Sequence, residues 1–238
     1  MQLAQWPLSQ LVGTLSTTRE GGVSLPPFDS LNLAFHVGDN AEHVAENRRI
    51  LHGYVANPIV WLEQVHGAEV VVVDEQFEVA QVHQADALYT RQRQAPLAIM
   101  TADCLPILLA SKNGEEVAAI HGGWKPLAAG IIAKTLAKFQ CAPEEICAWF
   151  GPAIGPDAFE VGEDVVQAFG AQRSTAFTAT KAGKYLGNIF ALAEALLAEQ
   201  GVTDCYGEKH CTVSMPEHYF SYRRDKTTGR MATLIWRK

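Results

Sequence analysis

Two short apolar stretches that stop at chemically reactive residues constrain the fold more than anything else in the chain. Leu97-Ala98-Ile99-Met100 leads into Thr101-Ala102-Asp103-Cys104-Leu105-Pro106 and then Ile107-Leu108-Leu109-Ala110, while Val117-Ala118-Ala119-Ile120 ends at His121-Gly122-Gly123-Trp124. Stretches this short, partly β-branched and bounded by breakers, read as buried strands. Cys104 and His121 therefore fall where strands meet turns, firmly held and able to face a pocket. Beyond Trp124, Pro126 takes a first-turn position, and Leu127, Ala128, Ile131, Ile132, Leu136 and Phe139 are spaced for one face of a helix. The free N–H groups at the start of that helix favour an anion near His121.

A chain of 238 residues with a 48% hydrophobic share suits a single domain over residues 1–238 with a sizeable core. Its net charge of −7 supplies no basic field for nucleic acid or an anionic membrane, so a small-molecule partner is expected. The first Lys or Arg is Arg19, which lacks the charged start of a secretory signal, and no apolar run is long enough for a membrane span. The expectation is a cytoplasmic protein, monomeric or weakly dimeric. In that setting Cys104, Cys141, Cys147, Cys205 and Cys211 do not form a disulfide framework.

Taken in order, Leu11 to Ser16 reads as a first strand, followed by a loop in which Arg19 stands near Gly21 and Gly22. A guanidinium there suits a phosphate or carboxylate, and a place in the same pocket as Cys104 is expected for it. Asp39 or Asn40 caps a helix with Ala41, Val44, Leu51 and Tyr54 on its apolar side and Asn47, Arg48 and Arg49 on its polar side. Ile59 to Leu62 and Val70 to Val73 read as strands, with His66 in the turn between them. Asp86 starts another short strand through Thr90, and Ile146 to Phe150 is a further one. Gly162 to Phe169 is a short helix, Ala171 to Gly183 a surface connection, and Leu186 to Leu197 an amphipathic helix. Tyr219 to Tyr222 and Met231 to Trp236 look like two strands joined by a basic turn.

His66, Cys104 and His121 together offer one thiolate and two imidazoles. That set suits zinc with a fourth position left for water or substrate, and such a metal lowers the pKa of bound water or polarises a substrate oxygen. The same residues permit a metal-free reading: Cys104 as nucleophile, His121 as base and Asp103 or Asp86 as its orienter. A metal site needs His66 and a Cys-His dyad does not. In the metal reading Asp103 is expected to orient a ligating histidine through its other ring nitrogen rather than bind the metal itself. No H-E-x-x-H motif or cytidine-deaminase signature occurs, and the remaining cysteines lack C-x-x-C spacing.

Several motifs come in one order: Trp61-Leu62-Glu63-Gln64-Val65-His66-Gly67, Ala85-Asp86-Ala87-Leu88, Thr101-Ala102-Asp103-Cys104-Leu105-Pro106-Ile107 and His121-Gly122-Gly123-Trp124. Gly151-Pro152-Ala153-Ile154-Gly155-Pro156, Phe159-Glu160-Val161-Gly162 and Tyr222-Arg223-Arg224-Asp225 with Thr228-Gly229-Arg230-Met231-Ala232 follow them. From Ser16 to Trp236 the chain closely resembles the YfiH-like, laccase-domain family, also called multicopper polyphenol oxidases and described as purine nucleoside phosphorylases. The resemblance implies an α+β fold of layered mixed β-sheets flanked by helices, shared distantly with toxin deamidases of the cytotoxic necrotizing factor type. It implies that His66, Cys104 and His121 are zinc ligands, with copper as the other candidate metal.

The activity implied is phosphorolysis of adenosine, inosine, guanosine and methylthioadenosine, with adenosine deamination. Some bacterial members are described instead as hydrolases that remove L-serine from a UDP-N-acetylmuramate precursor. Three protein ligands fall short of a multicopper constellation, and a non-enzymatic metal-binding protein is the contrasting class. The chain departs from the family in two places. Lys125-Pro126 stands where members have Arg-Gly, so Arg19 and Lys125 are left to meet phosphate, and Lys125 cannot do so bidentately. Asn188 stands where members often carry aspartate.

Overall fold

The computed structural model describes residues 1, 3–79, 81–170 and 175–238. Its central sheet has six strands in the order Asp204–Tyr206, Ile146–Phe150, Leu105–Ser111, Val117–Gly122, Ala87–Thr90, Val70–Val73. The outermost pair at each end is parallel and the interior pairs are antiparallel. Apolar residues run almost unbroken through the inner strands because both faces of this sheet are covered. Leu105, Ile107, Leu109 and Ile120 face a core shared with Leu127, Ile131, Phe190 and Leu197 from helices. Leu108, Ala110, Val117 and Ala119, which alternate with them, face Val12, Leu97, Ile99 and Ile235 of a second sheet.

That second sheet is antiparallel and three-stranded, with Met231–Arg237 between Val12–Ser16 and Leu97–Thr101. Its far side packs on helix Ala41–His52 through Leu51, Ala98, Met100 and Leu234. Helix, sheet, sheet and helices thus form the layers of an α+β fold. No helix among the described residues is long and apolar enough to cross a membrane.

Five local expectations are corrected. The strand pair Tyr219–Tyr222 with Met231–Trp236 does not form, because both edges of Met231–Arg237 are already paired; Tyr222–Asp225 is a single helical turn. The helix after Trp124 is split into Trp124–Ala128 and Ile131–Leu136 by Gly130, which adopts φ +81°. A helix of five residues offers little macrodipole, so the anion site expected at its start loses its basis. Asn47 is not on a solvated face: fully buried, it accepts Val23 N–H and donates to Ser24 Oγ and the Asn32 carbonyl, pinning the preceding loop. Within the expected surface connection, residues 171–174 lie outside the described residues, and Phe177–Lys181 is a strand paired with Lys184–Gly187, which takes Leu186 out of the following helix, Ile189–Glu199.

Candidate metal centre

Strand register brings the reactive residues together. Leu105 pairs with Gly122, and Ala87 pairs with Ile120, so Cys104 and Asp86 each precede a strand that flanks the one carrying His121. The backbone N–H of His121 donates to the Asp86 carbonyl at 2.7 Å, which continues the ladder by one rung. His66 arrives from the turn before Val70–Val73 with φ +57°, a left-handed conformation that few non-glycine residues adopt.

The Asp86 carboxylate, fully buried, holds that turn. It accepts the N–H groups of Val65, His66 and Gly67 at 3.2, 3.0 and 2.7 Å and meets His121 Nδ1 at 2.7 Å. Burial opposes ionisation of Asp86, but the His121 bond and the backbone N–H groups outweigh it and hold its pKa below the usual range. An ionised carboxylate can only accept, so His121 Nδ1 is the donor and Nε2 is left with a lone pair that could meet a metal.

The ligand atoms of His66, Cys104 and His121 all lie within 4.8 Å of one another, and this is the one such group of His, Cys, Asp and Glu ligands among the described residues. The two imidazoles meet edge-on, with centroids 4.7 Å apart. His121 is buried, Cys104 half-buried and His66 exposed, so the cluster is anchored at its base and open at its rim. Burial raises the Cys104 thiol, yet His121 and then His66 bring its pKa down to about 6. Burial lowers His121, while Cys104 and Asp86 lift it to about 9. The thiolate needed for a soft metal ligand is therefore the favoured form near neutral pH. Gly123 completes the fit: a Cβ there would stand 3.1 Å from Cys104 Sγ and 3.5 Å from His66 Cδ2. Two nitrogens and one sulfur with open space on one side suit a tetrahedral metal with an exchangeable position.

Two clefts meet at this cluster. The larger, about 670 Å³, is walled by Trp124, Lys125, Ile154, Phe159, Ile189 and Tyr222; the smaller, about 410 Å³, contains His36, Thr101, His121 and Arg230. His66, Cys104 and Tyr222 border both.

Other residues singled out in the sequence fall as follows. Lys125 lines the larger cleft, with Nζ 5.7 Å from the Trp124 ring centroid. Arg19 is not at the site: it borders a separate depression with Asp29 and Pro216. Its Nε donates to the Asp29 carbonyl and its Nη1 to the Pro216 carbonyl, and the guanidinium lies 4.8 Å over the Phe220 ring, so loop anchoring uses up its fork. Asp103 borders the larger cleft but does not orient a histidine. With φ +93° it turns its carboxylate to Thr212 Oγ1 and the Arg223 N–H, each at 2.6 Å, and that turn fixes the helical turn carrying Tyr222. The orienting role passes to Asp86, which the sequence offers only for a metal-free dyad. Asn188 caps helix Ile189–Glu199 by accepting the Ala191 N–H, as an aspartate would. Arg230 and Tyr222 have no assigned role in the sequence, although both lie in motifs it displays.

Comparison with known proteins agrees with this architecture. Residues 13–238 match the family described as multi-copper polyphenol oxidoreductase laccase. The chain is 50% identical to a Shigella flexneri protein named purine nucleoside phosphorylase YfiH, over 98% of this chain and 96% of that one. It is 45% identical to a Haemophilus influenzae protein named purine nucleoside phosphorylase, over 97% and 96%. A crystal structure of a Neisseria meningitidis protein superposes with a TM-score of 0.94 at 44% identity, covering 100% of this chain and 98% of that one. With strand ends, ligand cluster and clefts in one frame, and a match over nearly its whole length, the chain belongs to the YfiH-like, laccase-domain family.

Proposed function

We propose that this protein is a zinc-dependent purine nucleoside phosphorylase, acting on adenosine, inosine, guanosine and methylthioadenosine, with adenosine deamination as a second activity of the same pocket. The observation that carries the reading is the position of His66, Cys104 and His121 at the junction of two clefts of unlike lining. The names carried by relatives at 45–50% identity point the same way.

In this reading His66, Cys104 and His121 hold the metal, with Asp86 fixing the His121 ring and the His66 turn. The metal, when bound, supplies Lewis-acid polarisation of a substrate oxygen or a more acidic water. Trp124, Phe159, Ile154 and Ile189 offer flat and aliphatic surface to a purine, and Lys125 gives that cleft a mobile positive charge. In phosphorolysis a phosphate oxygen bonds to ribose C1′ as the bond from C1′ to the purine nitrogen breaks and the purine gains a proton. Holding the two reactants in adjoining clefts turns this into a reaction of preassembled partners. The donor set, one thiolate and two imidazoles, is satisfied by zinc, and a multicopper oxidase needs more centres than the single cluster among the described residues provides.

The test is product analysis by mass spectrometry on metal-quantified protein incubated with adenosine, with and without phosphate, and with the UDP-N-acetylmuramyl-serine precursor. Free adenine with ribose 1-phosphate, formed only with phosphate, is the expected result. Release of serine without any nucleoside turnover overturns the proposal in favour of precursor hydrolysis, and activity that survives complete metal removal overturns the metal's part in it.

A further inference from the structure

Arg230 brings a cation to the cleft beside the cluster, its guanidinium 5.9 Å from the Tyr222 ring centroid. Its guanidinium is half-buried, yet no ion pair engages it among the described residues. Nη1 donates to the carbonyls of Thr228 and Gly229, which leaves Nε and Nη2 without an acceptor among the described residues. Those two carbonyls belong to its own turn, so they aim the fork without cancelling its charge. A cation withdrawn from water and left unpaired is costly unless a ligand supplies the missing anion.

The surroundings of Arg230 match an anion rather than a purine. It lines the smaller cleft together with His36, Cys104 and His121. Thr101 borders the same cleft; it is 2% exposed, and its hydroxyl is buried with no hydrogen-bond partner. Gln64, also on the wall, has both ends of its amide committed to the Met100 backbone. Arg48, the other nearby arginine, is spent on the Leu33 carbonyl and on the Phe35 and Trp61 rings. The Asp103 carboxylate, the nearest acidic group on the adjoining wall, is engaged by Thr212 and the Arg223 N–H.

We infer that the smaller cleft is a phosphoryl-oxyanion subsite in which the Arg230 fork, assisted by the unpartnered Thr101 hydroxyl, receives the anion beside the metal cluster. The inference deepens the phosphorolysis reading and rests on it for the identity of the anion as free phosphate. The guanidinium presents two donors to one anion, which a lysine ammonium cannot reproduce in that fixed geometry. The arginine that the family pattern places at position 125 is therefore not the only route to bidentate phosphate contact in this chain.

The experiment is a titration of zinc-loaded protein with inorganic phosphate, and separately with uridine diphosphate, followed by ³¹P line broadening. Wild type, Arg230→Met and Arg230→Lys are compared at equal zinc content and with matching circular dichroism. Arg230→Met is expected to weaken phosphate binding by about ten- to hundredfold, with Arg230→Lys intermediate. If Arg230→Met does not fold, Arg230→Lys alone decides, since it keeps charge and length and loses only the fork. Failure of wild type to bind either probe, or binding of both probes that is unchanged in the variants, overturns the inference. Arg230-dependent binding of uridine diphosphate alone keeps the subsite and assigns it to an esterified phosphoryl group. Arg230-dependent phosphate binding without phosphate-dependent turnover keeps the subsite and overturns phosphorolysis.

Discussion

The Asp86 carboxylate joins two candidate metal ligands that lie 55 residues apart: it meets His121 Nδ1 at 2.7 Å and accepts the His66 backbone N–H at 3.0 Å. One buried group therefore sets both the ring orientation of His121 and the left-handed turn that delivers His66. Asp86→Ala is expected to lower zinc affinity about 10- to 100-fold, the usual loss when a histidine ligand loses its orienting partner. It should also destabilise the fold, because the Val65 and Gly67 N–H groups lose their acceptor as well. Chelator competition and thermal unfolding measure the two effects; zinc affinity equal to wild type would remove Asp86 from the centre.

Gly123 sits against the cluster with φ −66° and ψ 160°, a conformation open to alanine. The constraint at this position is the 3.1 Å between an added Cβ and Cys104 Sγ. Overpacking of this kind costs about 1–3 kcal/mol. A cysteine free of metal can turn aside, so the burden falls on the loaded form, and Gly123→Ala should weaken zinc binding roughly five- to hundredfold. The thermal midpoint of metal-stripped protein should hardly move. Equal losses in both forms would show that Gly123 serves the fold instead.

Arg19 makes the opposite case. Its side chain, 17% exposed, ties the Asp29 loop to Pro216 and Phe220. Arg19→Ala is expected to reduce stability by about 1–3 kcal/mol in urea unfolding, through its charged hydrogen bonds. The phosphate KM should remain within twofold of wild type. A selective rise in that KM at unchanged stability would return Arg19 to the substrate.

Why sequence located some of these groups and not others follows from the range of the interactions. Cys104 and His121 are legible because each ends an apolar run, and strand ends are a local signal. Asp86 begins a run in the same way, but its pairing with His121 depends on antiparallel register between strands 35 positions apart, which no local pattern encodes. Asp103 is expected to orient a histidine, but its φ of +93° turns the carboxylate to Thr212 and the Arg223 N–H, partners far along the chain that no local pattern encodes. Arg19 and Arg230 both stand near glycine in loops; only the partners decide between them, and those come from Pro216 and Asp29 in one case and, among the described residues, from no acidic group in the other. The buried strands are legible in their apolar runs, whereas their layering into sheets is implied by the family resemblance alone. The expected C-terminal hairpin failed because a strand already paired on both sides has no edge to offer.

Glu116, at the opposite end of the His121 strand, is a second buried carboxylate that makes the fold sensitive to acid. It is 4% exposed and accepts Tyr89 Oη at 2.5 Å and the N–H groups of Gln140 and Cys141 at 2.8 and 3.1 Å. Burial raises its pKa, but those three donors outweigh it, and Glu116 titrates below the ordinary range. A folded-state pKa depressed below the unfolded value of about 4.3 means that the unfolded chain binds the proton first as pH falls. The stabilisation is complete well above that unfolded value and is lost as pH drops through the folded pKa. Glu116→Gln keeps the shape but turns an amide donor toward backbone N–H groups and removes the charge, so it should cost about 1–3 kcal/mol at pH 7. The gap between wild type and variant should then begin to close as pH falls below about 5, where the unfolded chain starts to bind the proton, and go on closing until the pH passes the depressed folded pKa. Urea unfolding at a series of pH values gives both curves. A gap that stays constant across the series would show that packing, and not the ionised carboxylate, is what Glu116 contributes.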